Sequence, residues 1–231
     1  MQLRSASLRL VFSLSWLAWT AHAGEPANAN VKPLYGTAGD SVLQVDFASA
    51  QLSDAWHIVK GKWAVKDGAL HGVQIPEENH AAVLRRELAL HDFIAHFTFK
   101  FDGGKAVKLV INKQTLHIAT VSIWQNSLTI DKQSRESSGL KLRRLDERKI
   151  NLQTEDWHAV SVAAIGDMLV VVLDGNLLAF GSDAGLDTDK TDIDFAANGA
   201  VSIKSMSFHR AQAPADKEAA LRKLSALRKT N

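Results

Sequence analysis

The sequence contains no cysteine, which excludes a disulfide framework, thiolate chemistry and a lipidated cysteine anchor. It has no apolar run of the roughly 20 residues that a comfortable membrane span requires. It also lacks a phosphate-binding glycine-rich loop, a Gly-x-Ser-x-Gly nucleophile elbow and the His-x-x-x-His spacing that indicates zinc. These absences remove the signals of several enzyme classes, and we expect no cofactor beyond the calcium site considered below.

The first 23 residues have the pattern of a secretory signal peptide. Arg4 and Arg9 precede an apolar stretch at 10–18, and Ala21-His22-Ala23 supplies a small-x-small cleavage site. Removing this segment takes away two of the 27 Lys and Arg and none of the 25 Asp and Glu, so the formal charge falls from +2 to zero. We therefore expect a soluble exported protein, periplasmic or extracellular, and nucleic acid is disfavoured as a partner.

Short β-type runs separated by Gly, Asn and Asp turns follow one another along the rest of the chain. The strongest signal is 63–72, where two such runs flank Asp67-Gly68, a sequence typical of a tight hairpin. A second hairpin is expected at Asp174-Gly175. In the run 93–101 alternate residues are apolar and mostly aromatic, so one face of that strand belongs to the core. The pattern predicts an all-β sandwich rather than βαβ units.

Four segments follow from this organisation. We expect a signal peptide at 1–23, an extended leader at 24–41, a single β-sandwich domain at 42–210 and a basic amphipathic helix at 211–231. In the helix, leucines recur every three residues among basic side chains. Docking on the sandwich, engagement of a protein partner or membrane surface, and fraying all remain open for it. The basic stretch 141–149 is interpreted as a long solvated loop.

The order of signals resembles a known group of proteins. The residues that carry the resemblance are Trp56 to Gly61, Trp63 to Leu70, His80 to Arg85, Asp92 to Phe101, Trp157 to Val160, Val172 to Gly175 and Asp189 to Ile193. They are similar to exported bacterial concanavalin A-like domains, described as glycoside hydrolase family 16-like and related to the 3-keto-disaccharide hydrolase domain family. The resemblance implies a concanavalin A-like jelly-roll sandwich of two antiparallel sheets, with a short C-terminal helix added here, and a concave face that holds a glycan.

The chain departs from that group where catalysis is concerned. The Glu-x-Asp-x-x-Glu strand of family 16 glucanases is absent, and the strand ending at Phe101 runs into Asp102-Gly103-Gly104-Lys105 instead of an Asn-Ser-Gly turn. No pair of carboxylates stands out as the two that glycoside hydrolysis requires. The resemblance therefore implies a shared fold more strongly than a shared activity, and it identifies no catalytic residues in this chain.

Polar side chains on neighbouring predicted strands form the candidate ligand-binding set. Arg and Asn make directional hydrogen bonds to sugar hydroxyls, and His exchanges protons near neutral pH. The alternative is that these residues simply cover a solvent-facing sheet. Trp124, before a turn, is a candidate surface platform for a sugar ring. The set consists of His80, Arg85, His96, Lys108, Asn112 and His117.

A run of acids in the C-terminal third offers oxygen ligands to calcium, but a solvated turn is the favoured explanation, partly because Lys190 interrupts the acids. The run consists of Asp183, Asp187, Asp189, Asp192 and Asp194.

The sequence thus predicts an exported carbohydrate-binding domain that binds a glycan or oligosaccharide, with hydrolysis of an unusual glycoside such as a 3-keto-disaccharide implied by the resemblance. The alternative is a non-enzymatic envelope module that binds a protein partner through its C-terminal helix. We expect Arg85→Ala to remove glycan binding while leaving the melting temperature nearly unchanged.

Overall fold

Two antiparallel β-sheets and a C-terminal α-helix make up the computed structural model, which describes residues 32–136 and 139–230. The expected signal peptide and the first residues of the expected leader lie outside the described residues. The helix α1 spans Lys217–Thr230, and two short 3₁₀ turns span Pro76–Glu78 and Ala184–Leu186. Within the described ranges, no helix is both long and apolar enough to cross a membrane.

Sheet A contains eight strands. In spatial order they are β13 (Leu177–Ser182), β12 (Met168–Leu173), β11 (His158–Ile165), β6 (Phe93–Phe101), β15 (Ala200–Gln212), β4 (Ala69–Val73) and β3 (Lys62–Lys66), with β1 (Thr37–Asp46) also paired to β15.

Sheet B contains seven strands. In spatial order they are β10 (Gly139–Lys149), β9 (Ser127–Glu136), β8 (Leu116–Trp124), β7 (Ala106–Lys113), β14 (Lys190–Asn198), β5 (Ala82–Leu90) and β2 (Trp56–Lys60).

The main core lies between the sheets and is rich in phenylalanine. Every Phe of β6 is buried, as the alternation in 93–101 predicts. Phe97 of sheet A meets Phe195 of sheet B edge to face, with ring centroids 5.3 Å apart, and Phe195 also contacts Phe208 at 6.5 Å. Such edge-to-face aromatic contacts stabilise the fold by more than the apolar area they bury would predict. They fix the two sheets face to face and leave the opposite face of each sheet outward.

Both predicted hairpins are present. Asp67 and Gly68 have φ values of 50° and 74° and join β3 to β4, which is the left-handed pair that a two-residue hairpin loop with matching twist requires. Asp174 and Gly175, with φ of 51° and 74°, begin the turn from β12 to β13.

Strand β15 runs to Gln212 and α1 begins at Lys217, so the helix starts six residues later than the expected 211. Two further segments differ from the sequence-based expectation. Strand β1 begins at Thr37, inside the expected leader, because residues 37–46 pair with the long strand β15. The basic stretch expected to be a loop is instead strand β10, paired along its length with β9. Both are edge-type pairings with few buried side chains, so neither segment shows the apolar alternation that marks a half-buried strand.

Helix α1 docks on the outer face of sheet A. It begins after Asp216, whose Oδ1 accepts a hydrogen bond at 2.8 Å from the backbone N–H of Ala219, as expected of a helix cap. Leu224 is fully buried in a second apolar cluster that includes Ile94 and Val170 of sheet A. Arg228 donates to the buried carboxylate of Asp146 at 2.5 Å. The helix therefore uses its apolar face inside the molecule.

Candidate ligand-binding groove

A groove of about 470 Å³ lies on the outer face of sheet B. It crosses strands β5, β14, β7, β8 and β9, and the edge strand β10 contributes Leu142 to its border. Its volume falls in the range of sites that bind small molecules. We call this feature the sheet B groove.

Strand register places one row of side chains straight across the groove. Pairing runs from Arg85 through Asp194, Val110, Thr120 and Asp131 to Arg144. Because side chains alternate along each strand, these six share the outer face while their neighbours, such as Phe195, enter the core. An arginine and an aspartate meet at each end of the row, and Val110 and Thr120 lie between them.

Arg85 is held by two buried carboxylates. Its Nε and Nη2 donate to Oδ1 and Oδ2 of Asp194 at 2.7 and 2.8 Å, and its Nε lies 3.1 Å from Oδ1 of Asp192. The hydrogen bond with Asp194 raises the pKa of Arg85, and burial opposes it. Removing Arg85 would leave both buried carboxylates without the cation that neutralises them. This geometry replaces our expectation of an unchanged melting temperature, because Arg85 holds together the network beneath the groove.

Asn112 continues this network toward His117. Its Nδ2 donates to Oδ1 of Asp192 at 2.7 Å, and its Oδ1 lies 2.5 Å from Nδ1 of His117. Since that oxygen only accepts, the network assigns the His117 proton to Nδ1 and leaves Nε2 available in the groove. A β-bulge makes this contact: Ile111 pairs with Ala119, but Asn112 pairs with His117. The extra residue, Ile118, enters the core and turns His117 outward.

Lys108 lies at the floor of the groove beside Trp124. Its Nζ is 5.3 Å from the centre of the indole ring, within the range of a cation–π contact. Burial lowers the pKa of Lys108, and the charge of Asp131 partly offsets that effect. Trp124 is half-buried rather than a core residue, so its sequence-based interpretation as a surface aromatic agrees with its position.

Five of the six predicted site residues lie on this side of sheet B. Lys108, His117 and His80 line the groove, with His80 anchored at the border by Nδ1, 2.8 Å from the carbonyl oxygen of Ala81. Arg85 and Asn112 belong to the network beneath it. Whether any of them binds a ligand stays a prediction.

His96 is the exception, and its grouping with the others was wrong. It belongs to β6 in the middle of sheet A, paired with β11 and β15, and its ring lies 6.3 Å from that of His209. Burial, and to a smaller extent the charge of His209, lowers the pKa of His96. Polar alternation shows that a residue leaves the core, but it does not show on which sheet it does so.

The acidic run considered for calcium does not converge. Asp192 and Asp194 face Arg85 in the groove network, whereas Asp183 accepts from the backbone N–H of Gly185 at 2.7 Å and pairs with Arg143. Asp187 and Asp189 lie 3.7 and 4.0 Å from Nε2 of His91, just after β5. Over residues 32–136 and 139–230, no three His, Cys, Asp or Glu side chains come together as metal ligands.

The sequence did not single out Asp131, Thr120 or Ser122 as site residues. All three line the groove and are buried in β8 and β9. Thr129 and Arg144 both donate to Asp131, the latter at 2.5 Å. The only available signal was alternation of these polar residues with Val121, Ile123 and Ile130.

No protein family and no individually curated protein matches the sequence. Solved structures do share its fold. Crh5 transglycosylase in complex with NAG is 12% identical with a TM-score of 0.57, over 78% of this chain and 87% of that one. LamA from Z. galactanivorans in complex with laminaritriose and laminaritetraose is 13% identical with a TM-score of 0.55, over 75% and 100%. A protein of unknown function with a galectin-like fold from Bacillus subtilis is 12% identical with a TM-score of 0.57, over 78% and 100%.

At identities this low, the likeness shows the fold alone. The chain is an all-β, concanavalin A-like jelly-roll sandwich with a C-terminal helix, and that sequence-based prediction is confirmed.

Proposed function

We propose that this protein is an exported carbohydrate-binding domain and that the sheet B groove is its binding site. The observation that carries the proposal is a ligand-sized groove whose polar floor is fixed by its own hydrogen bonds. A floor held in place before binding loses little conformational entropy when a ligand arrives. Two of the solved structures that share this fold are complexes with sugars, which supports the same class of ligand here.

The groups that face the groove match the chemistry of a sugar. Thr120 and Ser122 present hydroxyls that both donate and accept, and His117 offers Nε2. Trp124 does not line the groove itself, but alternation along β8 places it on the same outer face as Ser122, beside Lys108, where the apolar face of a sugar ring can stack on it. A pyranose has hydroxyl groups around its rim and apolar C–H groups on its faces, so both polar and aromatic contacts favour its binding.

The carboxylates of the groove favour binding over ordinary glycoside hydrolysis. Hydrolysis requires two carboxyl groups roughly 5–9.5 Å apart, one of which protonates the leaving oxygen. Asp194 and Asp131 lie three strands apart in one row, a separation of about 14 Å at the spacing of neighbouring strands. Asp192 and Asp194 are closer, but both are bound to Arg85. In this groove the three carboxylates hold arginines in place.

A finer hypothesis, hydrolysis of an unusual glycoside such as a 3-keto-disaccharide, rests on the sequence resemblance. It is tested by incubating the purified chain with 3-keto-disaccharides and ordinary disaccharides and measuring free monosaccharide. Release from the 3-keto substrates alone, lost in His117→Ala but kept in a folded control, would establish it. Absence of release with binding intact would leave the domain as a binding module.

The alternative of a protein-binding module acting through α1 has less support. Leu224 is buried against sheet A, and Leu221 and Leu227 pack against the same cluster. An amphipathic helix that engaged a partner would present this face outward. The partner hypothesis therefore requires α1 to leave its place on sheet A.

The binding proposal is tested with a glycan array probed by the purified chain and two matched variants. Thr120→Tyr adds bulk in the centre of the groove, and Ser207→Tyr adds the same bulk to the outer face of sheet A, where Ser207 is half-buried on β15. We expect binding to at least one glycan that Thr120→Tyr abolishes and Ser207→Tyr preserves, with both variants folded by circular dichroism. Equal binding by both variants would place the site elsewhere.

A further inference from the structure

The position of Lys108 indicates which kind of glycan the groove accepts. Lys108 lies on β7, with Ala196 of β14 directly opposite on one side and Ser122 of β8 on the other. Neither neighbour carries charge. Its ammonium group therefore faces the groove at a point where the sheet supplies a methyl group and a hydroxyl but no acid.

The two arginines on the neighbouring row of side chains, which runs across the groove from Arg85 to Arg144, are already paired. Arg85 forms a two-pronged contact with Asp194, and Arg144 binds Asp131. Across the part of the chain that the structure describes, Lys108 has no carboxylate within 4.0 Å of its Nζ. Asp131 acts on it only at longer range, and that carboxylate is bound by Arg144 and Thr129.

Holding an unpaired ammonium group in a half-buried position costs free energy, because burial removes water without supplying a counter-charge. The contact with Trp124 recovers part of this cost. An anionic group of a ligand at Nζ would supply the missing partner, and a charge-assisted hydrogen bond is roughly twice as strong as a neutral one.

We propose that the glycan bound in the sheet B groove is acidic, with an anionic substituent, a uronate carboxylate or a sulfate ester, on Nζ of Lys108. The hydroxyls of Thr120 and Ser122 lie next to this point and complete the set of donors. Trp124 holds the sugar ring beside the same ammonium group. This inference rests on the proposed carbohydrate-binding function.

The test compares matched glycans that differ only in charge. A glycan array with neutral, uronate-containing and sulfated oligosaccharides identifies the preferred class, and calorimetry then compares the best acidic glycan with its methyl-esterified or desulfated form. We expect the uncharged form to bind at least about tenfold more weakly, the loss typical of a removed charged hydrogen bond.

Three variants connect that preference to Lys108. Lys108→Met keeps an unbranched side chain of similar length, one atom shorter, but removes the charge and with it the cation–π contact with Trp124, and Lys108→Arg keeps the charge. Lys100→Met is the matched control, since Lys100 makes a similar contact with Trp157 on sheet A, at 5.4 Å. We expect Lys108→Met to bind the charged and uncharged forms equally, while the other two retain the preference.

The outcomes separate this inference from the proposed function. Tight binding of neutral glycans, with no gain from charge, would overturn the acidic-glycan proposal and leave carbohydrate binding intact. A charge preference that survives in Lys108→Met would also overturn it. Failure to bind any glycan, neutral or acidic, by a folded protein would overturn both.

Discussion

The outer faces of the two sheets both consist of the residues that alternate with core residues along each strand, but one face is partly covered by a helix and the other is exposed as a groove. On sheet A, the face around Ile94, Ile165 and Val170 is apolar and lies beneath helix α1. On sheet B, the face around Arg85, Lys108 and His117 is polar, and the described chain leaves it open as a groove. The comparison shows how the C-terminal helix distinguishes the two outer faces: it packs on the apolar part of sheet A and leaves uncovered the groove on sheet B, which we propose binds a ligand.

The same contrast appears in two lysine–tryptophan pairs. On sheet A, Nζ of Lys100 lies 5.4 Å from the ring of Trp157 and 3.4 Å from the carboxylate of Asp102. On sheet B, Lys108 contacts Trp124 in the same way but has no acid at that distance among the described residues. The first lysine therefore has a carboxylate partner within the protein, and the second is the one that we propose binds an anionic ligand.

The largest effect on stability is expected in the groove network itself. Arg85→Ala leaves the buried carboxylates of Asp192 and Asp194 without their guanidinium partner. We expect the free energy of unfolding, measured by urea denaturation, to fall by about 3–5 kcal/mol. Arg85→Lys, which keeps the charge but loses the forked geometry, should lose less. A loss below about 1 kcal/mol for Arg85→Ala would show that the network contributes little to folding.

The contact between helix α1 and sheet A should give the next largest effect on stability. Leu224→Ala removes a fully buried side chain from the contact between α1 and the sheet, and we expect a loss of about 2–4 kcal/mol in the free energy of unfolding. Glycan binding in the groove should be unchanged. Ser225→Ala, on the exposed side of the helix, serves as control and should change stability by less than about 0.5 kcal/mol. Equal effects of the two variants would mean that the helix is not docked.

Two histidines of sheet A should make stability depend on pH in opposite directions. Burial and His209 lower the pKa of His96 in the folded state, so its contribution is present above the unfolded pKa of about 6.5 and is lost as the pH falls. For His158, burial lowers the pKa, but hydrogen bonds with Asp174 and the carbonyl of Gln153 outweigh it, and the pKa is raised. Its contribution is present below about pH 6.5 and is lost as the pH rises through the folded pKa.

Urea denaturation between pH 5 and 8 checks both signs. In the parent protein, His96 should make the free energy of unfolding rise as the pH is raised toward about 6.5, and His96→Gln should lack this rise. His158 should make the free energy of unfolding fall as the pH is raised above about 6.5, and His158→Gln should lack this fall. If the two variants change the pH profile in the same direction, the opposite environments assigned to these histidines are wrong.

The smallest effect tests the lysine pairs. Lys108→Met removes an unpaired, half-buried charge and should raise the free energy of unfolding by about 0.5–1 kcal/mol. Lys100→Met breaks the ion pair with Asp102 and should lower it by up to about 0.5 kcal/mol. If thermal unfolding without ligand shows that Lys108→Met raises the free energy of unfolding and Lys100→Met lowers it, then only the groove lysine destabilises the folded protein. A loss of stability in Lys108→Met would contradict this.

Much of the fold was accessible from the sequence because local signals agreed with it. Asp67-Gly68 and the phenylalanines of β6 each determine a turn or a buried face through short-range chemistry. Strands β1 and β10 were missed because their partners, and not their own side chains, make them strands. An edge strand with exposed polar residues has the composition of a loop.

For the candidate site, the sequence indicated which polar residues leave the core but not how they are arranged. Lys108, Asn112 and His117 lie on adjacent strands and were correctly grouped. His96 was misplaced because sheet membership depends on long-range pairing with β15, more than 100 residues away in sequence. Asp194, the main partner of Arg85, is 109 residues away. Such pairings are set by topology, which alternation along one strand does not encode.

The most direct test of the central claim, that the open face of sheet B binds a glycan, is to follow backbone amide chemical shifts while the tightest-binding glycan of the array is added. We expect the largest changes in β5, β7, β8, β9 and β14, and small changes beneath α1 on sheet A. Changes concentrated in β6, β11 and β15, or none with any glycan, would contradict the assignment of the sheet B groove as the binding site.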